Sequence, residues 1–430
     1  MALFVHRFPC AIKIHNRHHQ ADQQRRWLQS SGHCSRSSEF STQSECPAHR
    51  IADMFLSLLL FASAMWSASA TKIKRPPNIV FILADDLGWG DVSFHGSTQI
   101  PTPNIDALAS TGVVLNNYYT MPLCSPSRGA LLSGLYGIHT GFQHDALEPA
   151  VPAGLSLDVK IMSEYFKELG YETHILGKWH LGYFSDEYMP TNRGFDSFCG
   201  FHTGPEDYYS HILKWDGQVG LDFWKNIEPL ATDNATYSTT LFTERAKSII
   251  TNRDKSKPLF LYLPHQAPHC GADPNPLQAP EKNVAKFPYI GDTGRTLYAG
   301  MVDALDQSVA AVLEALEAAS MLEDTIIAFS SDNGAIQIGP YANYGTNWPL
   351  RGAKDTLWEG GIRAAAFLWT AEILPYRRVS HQLMHITDWL PTLYSAAGTY
   401  PLRGPFVCND GSRMRLFHIS GMGTMRRLLK

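Results

Sequence analysis

The stretch PPNIVFILADDLGWGD, residues 76–91, decides the fold of this 430-residue chain. Two prolines precede an apolar run, IVFIL, of the kind found in strands that are buried on both faces of a parallel sheet. The run stops at two adjacent carboxylates, Asp85 and Asp86. A regular strand would point them to opposite faces, but we expect the chain to leave the sheet here, so that both can converge on one cation.

Predicted helices and strands alternate along the rest of the chain. Helices are predicted for residues 102–112 (with an Asn cap and a Gly stop), 159–170, 239–252 and about 298–319, and strands for 171–178, 258–264 and 324–331. Apolar strands that alternate with helices indicate an α/β fold, with a large, mainly parallel sheet flanked by helices on both faces. Long loops follow His269 and Asp332, at the strand ends where such sheets bind ligands.

A second strand end resembles the first. Residues 324–331 run into Asp332 and Asn333, so that three carboxylates and one amide are predicted at the ends of two apolar strands. All-oxygen donors suit Ca²⁺ or Mg²⁺ and not zinc. The alternative is that both segments are simple turns.

Composition excludes several classes of protein. A net charge of -4 gives no basic surface, so we expect no nucleic-acid partner. Seven cysteines without a C-x-x-C spacing indicate neither a disulfide scaffold nor a zinc site. A hydrophobic content of 44% predicts a globular chain with a substantial core.

The first 70 residues have a different character from the rest. Residues 1–53 are rich in His, Gln, Ser and Arg, contain Cys10, Cys34 and Cys46, and are predicted to be a disordered or untranslated extension. Residues 54–70, MFLSLLLFASAMWSASA, predict a signal peptide, because the apolar run is too short for a stable membrane span and ends in A-S-A. Translation from Met54 suits this prediction, whereas use of Met1 would allow a short signal anchor. Either start predicts the secretory pathway, which the sequon at Asn234 also fits.

Cys124 lies in LCSPSRGALLSG, residues 123–134, directly before a predicted helix. Pro126 suits a first helical turn, and Arg128 and the helix amides there would attract an anion. From the residues alone, Cys124 could be a disulfide partner, a metal ligand, a thiol nucleophile or the precursor of a modified residue.

The segment Cys-Ser-Pro-Ser-Arg closely resembles the sulfatase signature Cys-x-Pro-Ser-Arg. The resemblance covers residues 76–398 and includes GKWHLGYF, PTNRGFDSFCGF, EDYYSH, SSDNG and NWPLRGAKDTLWEGGIR. It is strongest for the subgroup of arylsulfatase B (N-acetylgalactosamine-4-sulfatase) and arylsulfatases I and J. It implies an alkaline-phosphatase-like sulfatase fold in which a formylglycine-generating enzyme oxidises Cys124 to formylglycine (3-oxoalanine).

The resemblance also implies the roles of individual residues. One Ca²⁺ would be bound by Asp85, Asp86, the modified Cys124, Asp332 and Asn333. The sulfate would be surrounded by Arg128, Lys178, His180, His269 and Lys354, with His265 as a nearby alternative to His269. Hydrated formylglycine would attack sulfur with help from Asp332, His269 and Lys354 would protonate the leaving oxygen, and His180 would take a proton as sulfate is expelled.

The implied activity is sulfuric ester hydrolysis. The substrates would be aryl sulfates or N-acetylgalactosamine 4-sulfate groups of glycosaminoglycans, and the enzyme would be lysosomal or secreted. Residues 71–398 would form the catalytic domain, while residues 399–430 do not resemble the family's smaller C-terminal domain. A catalytically inactive sulfatase-like protein is therefore one alternative. A phosphoesterase of the same superfamily is the other, although the His ligands of a second metal are not evident.

Overall fold

A ten-stranded mixed sheet lies at the centre of the structure. The structure is a computed structural model that describes residues 75–231, 236–272, 275–339, 341–372 and 378–399. The predicted extension (1–53), the signal peptide (54–70), Asn234 and the tail beyond residue 399 lie outside the described residues. Within these ranges, we find no helix that is long and apolar enough to cross a membrane.

The sheet is parallel at its centre and mixed towards its edges. Its strands and a separate hairpin (β5 and β6) are β1 (Asn78–Ala84), β2 (Val113–Tyr119), β3 (Glu172–Lys178), β4 (Ser197–Phe201), β5 (Ile212–Trp215), β6 (Gln218–Leu221), β7 (Trp224–Lys225), β8 (Glu228–Pro229), β9 (Leu259–Pro264), β10 (Thr325–Ser331), β11 (Ala366–Trp369) and β12 (Arg378–His385). The order is β12-β2-β11-β10-β1-β9-β3-β4-β7-β8. Strands β10, β1, β9, β3 and β4 are parallel, whereas β11 runs antiparallel to both β10 and β2, and β7 and β8 form an antiparallel edge.

The predicted helices are all present, with shifted boundaries. The α-helices of the described ranges are α1 (Pro103–Thr111), α2 (Cys124–Ser133), α3 (Gly137–Thr140), α4 (Met162–Glu168), α5 (Ser238–Asn252), α6 (Glu281–Val284), α7 (Thr293–Ala318), α8 (Glu359–Ile362) and α9 (Trp389–Tyr394). The expected Asn cap of α1 is wrong: Thr102 precedes the helix, and the Asn104 amide instead donates to Asp306 at 2.7 Å. Helix α7 begins earlier than predicted because Asp292 caps it by accepting from Arg295 N.

Strand β1 contacts a separate apolar core on each face of the sheet. Val80 and Ile82 pack with α1, α5 and α7, whereas Ile79, Phe81 and Leu83 pack with α2, α4 and α9. All five side chains are at most 1% exposed. The α/β fold with helices on both faces is thus confirmed, and the loops that follow β1, β3, β9 and β10 meet at one edge of the sheet.

Candidate active site

Two parallel strands bring three carboxylates together. Strands β1 and β10 pair in register up to Ala84 and Ser331, so the residues that follow them lie side by side. Asp86 N donates to Asp332 Oδ1 at 3.1 Å, and carboxylate oxygens of Asp85, Asp86 and Asp332 all lie within 4.8 Å of one another. The expected convergence depends on the backbone of Asp86, which adopts a left-handed φ of 59° directly after the strand.

The oxygen atoms of this cluster fit a hard divalent cation. Asp85 Oδ1 and Asn333 Oδ1 are buried and accept no hydrogen bond from the described residues. The Asn333 amide nitrogen donates to Asp86 Oδ1, which leaves the amide oxygen as an unused acceptor. Carboxylate and amide oxygens are the donors that Ca²⁺ and Mg²⁺ prefer. The residues present therefore suit an ion of this class.

Three buried cations pair with the three carboxylates. Lys178 Nζ lies 2.7 Å from Asp85 Oδ2, Lys354 Nζ 2.8 Å from Asp86 Oδ2, and Arg128 Nη2 2.8 Å from Asp332 Oδ2. Lys178 and Arg128 have fully buried side chains, and that of Lys354 is 9% exposed. The cluster thus balances its own charge while placing three cations in one pocket.

The pKa values of the carboxyls follow from this pairing. Burial raises the pKa of Asp332 to about 6, with a further contribution from Asp85, although Arg128 opposes the rise. Burial also acts to raise the pKa of Asp86, but the charge and hydrogen bond of Lys354, together with His269, hold the pKa below its usual value. Asp86 in turn raises the pKa of Lys354 against the effect of burial, so that lysine stays charged.

Cys124 is the first residue of α2 and lies inside this pocket. Its Sγ, an Asp85 oxygen and a His269 nitrogen lie within 4.8 Å of one another, and the residue is 4% exposed. Burial raises the pKa of the thiol although Lys178 and Lys354 oppose the change, which disfavours a thiolate nucleophile. Among the described cysteines, Cys124, Cys199 and Cys270 are all free, so Cys124 is not in a disulfide with either of them.

Two histidines of the site are neutral. His269 Nδ1 lies 2.6 Å from Cys270 O and its Nε2 3.2 Å from Lys354 Nζ, which assigns the ring proton to Nδ1. His180 Nε2 lies 2.8 Å from Leu147 O, which assigns the proton to Nε2 and leaves the buried Nδ1 without a partner among the described residues. Burial, reinforced by neighbouring lysine charge, lowers the pKa of both rings well below the ordinary value.

The two candidate histidines after β9 occupy different places. His269 contacts Lys354 and lies 3.5 Å from Asp86 Oδ2, whereas His265 Nε2 lies 3.1 Å from Ser308 Oγ, against helix α7. The structure thus brings His269 into the cluster and leaves His265 in the core.

Several supporting residues escaped the sequence analysis. Ser125 Oγ accepts from Leu147 N, and Leu147 O contacts His180, so the residue after Cys124 helps to fix that ring. Tyr208 OH donates to His269 O at 2.8 Å, and Asn343 Nδ2 donates to Asp86 O at 2.9 Å. Tyr208 lies in the segment EDYYSH, which was the available signal, but nothing in the sequence distinguished Asn343.

The predicted site residues therefore form one buried cluster. Its members from the sequence prediction are Asp85, Asp86, Cys124, Arg128, Lys178, His180, His269, Asp332, Asn333 and Lys354. Oxygen donors for a divalent cation, fixed cations for an oxyanion and neutral imidazoles lie together. This arrangement suits chemistry on a tetrahedral oxyanion ester.

Known proteins are similar to this chain in sequence and in fold. Residues 77–399 match the family described as Sulfatase. The chain is 45% identical to arylsulfatase J of Mus musculus over 362 residues (80% of this chain and 59% of the relative) and 34% identical to N-acetylgalactosamine-6-sulfatase of Canis lupus familiaris (80% and 66%). It therefore spans roughly three fifths to two thirds of the length of these curated relatives.

A solved structure extends the comparison to the fold. The crystal structure of Ps i-CgsB in complex with k-i-k-neocarrahexaose is similar to this chain with a TM-score of 0.68 and 32% identity, over 75% of this chain and 72% of that one. The predicted resemblance and the fold it implied are confirmed by these matches. The chain belongs to the sulfatase family.

Proposed function

We propose that this chain hydrolyses sulfate monoesters as a sulfuric ester hydrolase of the arylsulfatase type. The observation that carries the proposal is the position of Cys124, whose Sγ shares one pocket with Asp85 and His269. Membership of the sulfatase family and the identity to arylsulfatase J support the same reaction class.

The buried cations would bind and stabilise the sulfuryl group. Arg128, Lys178 and Lys354 provide fixed positive charge beside Cys124. Negative charge develops on the ester oxygen and is spread over the sulfuryl oxygens as the S–O bond breaks, and preorganised cations stabilise such charge without reorganising.

The hydrogen bonds of His269 and Lys354 support Lys354 as the proton donor to the leaving oxygen. His269 keeps its proton on Nδ1, against Cys270 O, and directs its Nε2 lone pair at Lys354 Nζ. Lys354 therefore holds the proton that the leaving alcohol would receive, and His269 orients it. His180 has an Nδ1 lone pair that no described residue contacts, and this lone pair could accept a proton when sulfate is released.

We propose Ca²⁺ and formylglycine as the groups that complete the site. Asp85, Asp86, Asp332, Asn333 and the modified Cys124 would hold the ion. When bound, the ion would polarise its oxygen ligands, and formylglycine made from Cys124 by a formylglycine-generating enzyme would supply the nucleophilic oxygen.

We further propose sulfated N-acetylgalactosamine in glycosaminoglycans as the natural substrate, with aryl sulfates as convenient analogues. The similarity to an N-acetylgalactosamine-6-sulfatase supports this substrate class, although the sequence motifs favour the 4-sulfate. A lysosomal or secreted location, with residues 71–398 as catalytic domain, is part of the same proposal.

One experiment tests the reaction. The full chain is expressed in a secretory host, the peptide containing Cys124 is analysed by mass spectrometry, and hydrolysis of an aryl sulfate is measured with and without Ca²⁺. We expect formylglycine at this position and Ca²⁺-dependent release of sulfate. Lys354→Met should abolish turnover, while Lys282→Met, a change at an exposed lysine of α6, should not.

The other outcomes separate the alternatives. Faster hydrolysis of the matching aryl phosphate than of the aryl sulfate would favour a phosphoesterase. Unmodified cysteine without turnover, where a matched arylsulfatase is active, would instead identify a catalytically inactive sulfatase-like protein.

A further inference from the structure

The loop that carries Lys354 also holds an unusual arginine. Arg351 is exposed, and its guanidinium carbon lies 3.7 Å from the ring centroid of Trp358, which is itself 51% exposed. Within the described ranges, its side chain has neither an ion pair nor a hydrogen bond. Arg363 is a useful contrast: it also lies over a ring, that of Trp89, but it bonds to Glu359.

The position of this pair is fixed by the loop beneath it. Asn347 is buried, and its Oδ1 accepts a hydrogen bond from Ala335 N. Its Nδ2 donates to Ala335 O and to Gly352 O. Gly360 N donates to Arg351 O at 2.7 Å. The loop that carries Arg351 and Trp358 is therefore held in place by hydrogen bonds.

The pair belongs to the loop that carries Lys354 into the pocket. Lys354 contacts Asp86 inside the pocket. Because Arg351 precedes Lys354 by three residues, their Cα atoms are at most about 11 Å apart. Asp355 N donates to Pro122 O, which brings the same loop against the segment that leads into Cys124. If the sulfate of a ligand lies beside Lys354, the part of the ligand that could reach Arg351 is the adjoining sugar.

The chemistry of the pair selects an acidic sugar. A guanidinium stacked on an indole directs its N–H edge outward, where it can donate two parallel hydrogen bonds to a carboxylate or sulfate. The exposed indole offers an apolar face to the C–H groups of a pyranose ring. Charge complementarity therefore favours a polyanionic glycan over an uncharged one.

We infer that Arg351 and Trp358 form a second sugar subsite, which binds the carboxylate or sulfate of the residue next to the sugar that carries the scissile sulfate. The inference rests on the proposed function, because that function places the sulfate ester beside Lys354. It adds that the substrate is a chain of alternating or repeated acidic sugars and that recognition extends beyond a single residue.

Binding without turnover tests the subsite. The full chain with Cys124→Ala is titrated, with Ca²⁺ present, with three probes: a chondroitin 4-sulfate tetrasaccharide, the same tetrasaccharide with its carboxyl groups reduced to alcohols, and inorganic sulfate. Arg351→Ala should weaken binding of the native tetrasaccharide about tenfold and leave inorganic sulfate unchanged. Arg351→Lys should recover part of the loss, and Arg378→Ala, at an exposed arginine of β12, should have no effect.

Three results would overturn the inference. The first is that the native tetrasaccharide does not bind the Cys124→Ala chain. The second is that Arg351→Ala leaves the affinity for the tetrasaccharide unchanged. The third is that Arg351→Ala weakens the binding of the tetrasaccharide and of inorganic sulfate equally. Failure of the proposed function is a separate result. If the chain with Cys124 intact hydrolyses no sulfate ester, while binding of the tetrasaccharide still depends on Arg351, the reaction is rejected and the subsite is kept.

Discussion

We expect His265→Gln to make the fold less sensitive to acid. His265 follows β9, is 0% exposed, and has Nε2 at 3.1 Å from Ser308 Oγ, while no described residue bonds to its Nδ1. Burial lowers the pKa of this ring to about 3, because the imidazolium cannot be solvated there. In the unfolded chain the ring has an ordinary pKa of about 6.5.

The sign of the effect follows from proton linkage. Between about pH 6.5 and pH 3 the unfolded state holds one more proton on His265 than the native state does, so the free energy of unfolding falls as pH falls. The slope is about 1.4 kcal/mol per pH unit, and the total loss between pH 7 and pH 5 is about 2 kcal/mol. A domain with a typical stability of about 5–15 kcal/mol would lose a measurable fraction of it.

Urea unfolding at pH 7, 6 and 5, at one Ca²⁺ concentration, measures this difference. Glutamine cannot titrate but can still accept a hydrogen bond from Ser308. Between pH 7 and pH 5, the free energy of unfolding of the parent should therefore fall by about 2 kcal/mol more than that of His265→Gln. His144→Gln is the matched control, since His144 is exposed and hydrated in the folded chain.

The reasoning would be refuted by a specific result. If the parent and His265→Gln lose the same free energy of unfolding between pH 7 and pH 5, with unchanged urea dependence, His265 is not held neutral by the fold. A parallel loss in all three proteins would assign the acid sensitivity to other groups.

Two further predictions concern the supports of the site. Ser125→Ala removes the hydrogen-bond acceptor of Leu147 N, and Leu147 O contacts His180. We therefore expect kcat for an aryl sulfate to fall about tenfold, with KM nearly unchanged. A rise in KM with unchanged kcat would contradict this prediction. Gly334→Ala would place a Cβ 1.8 Å from Gly360 O, so we expect the free energy of unfolding to fall by about 3 kcal/mol in urea titrations; an unchanged midpoint would show that the backbone accommodates the methyl group.

The centre of the sheet was predictable from sequence, whereas its edges were not. Strand β1 is an apolar run because both of its faces are covered, and a run of this kind needs no other information to be recognised. Strand β12 reads RVSHQLMH and exposes Val379 and Leu383, so it shows no consistent buried face. It forms a strand because it pairs with β2, and that pairing is not encoded locally.

The same division applies to the site. Asp85, Asp86 and Asp332 could be selected as candidates because each follows an apolar strand, and the pairing of β1 with β10 in the structure brings them together. Sequence alone gave weaker grounds for choosing between His265 and His269, since both follow one strand, and packing against Ser308 separates them. Contacts to backbone atoms leave no pattern of residue types, which is why the bonds to Leu147 O, His269 O and Asp86 O were missed.

Charge compensation links the fold of this site to its chemistry. Each of Asp85, Asp86 and Asp332 is buried, and each contacts at least one of the three cations of the pocket. Loss of one member of such a pair leaves a buried charge without a partner, which typically costs about 3–5 kcal/mol. The motifs around the strand ends are therefore required together, because a cation that would serve the sulfuryl group also neutralises a carboxylate that would serve the ion.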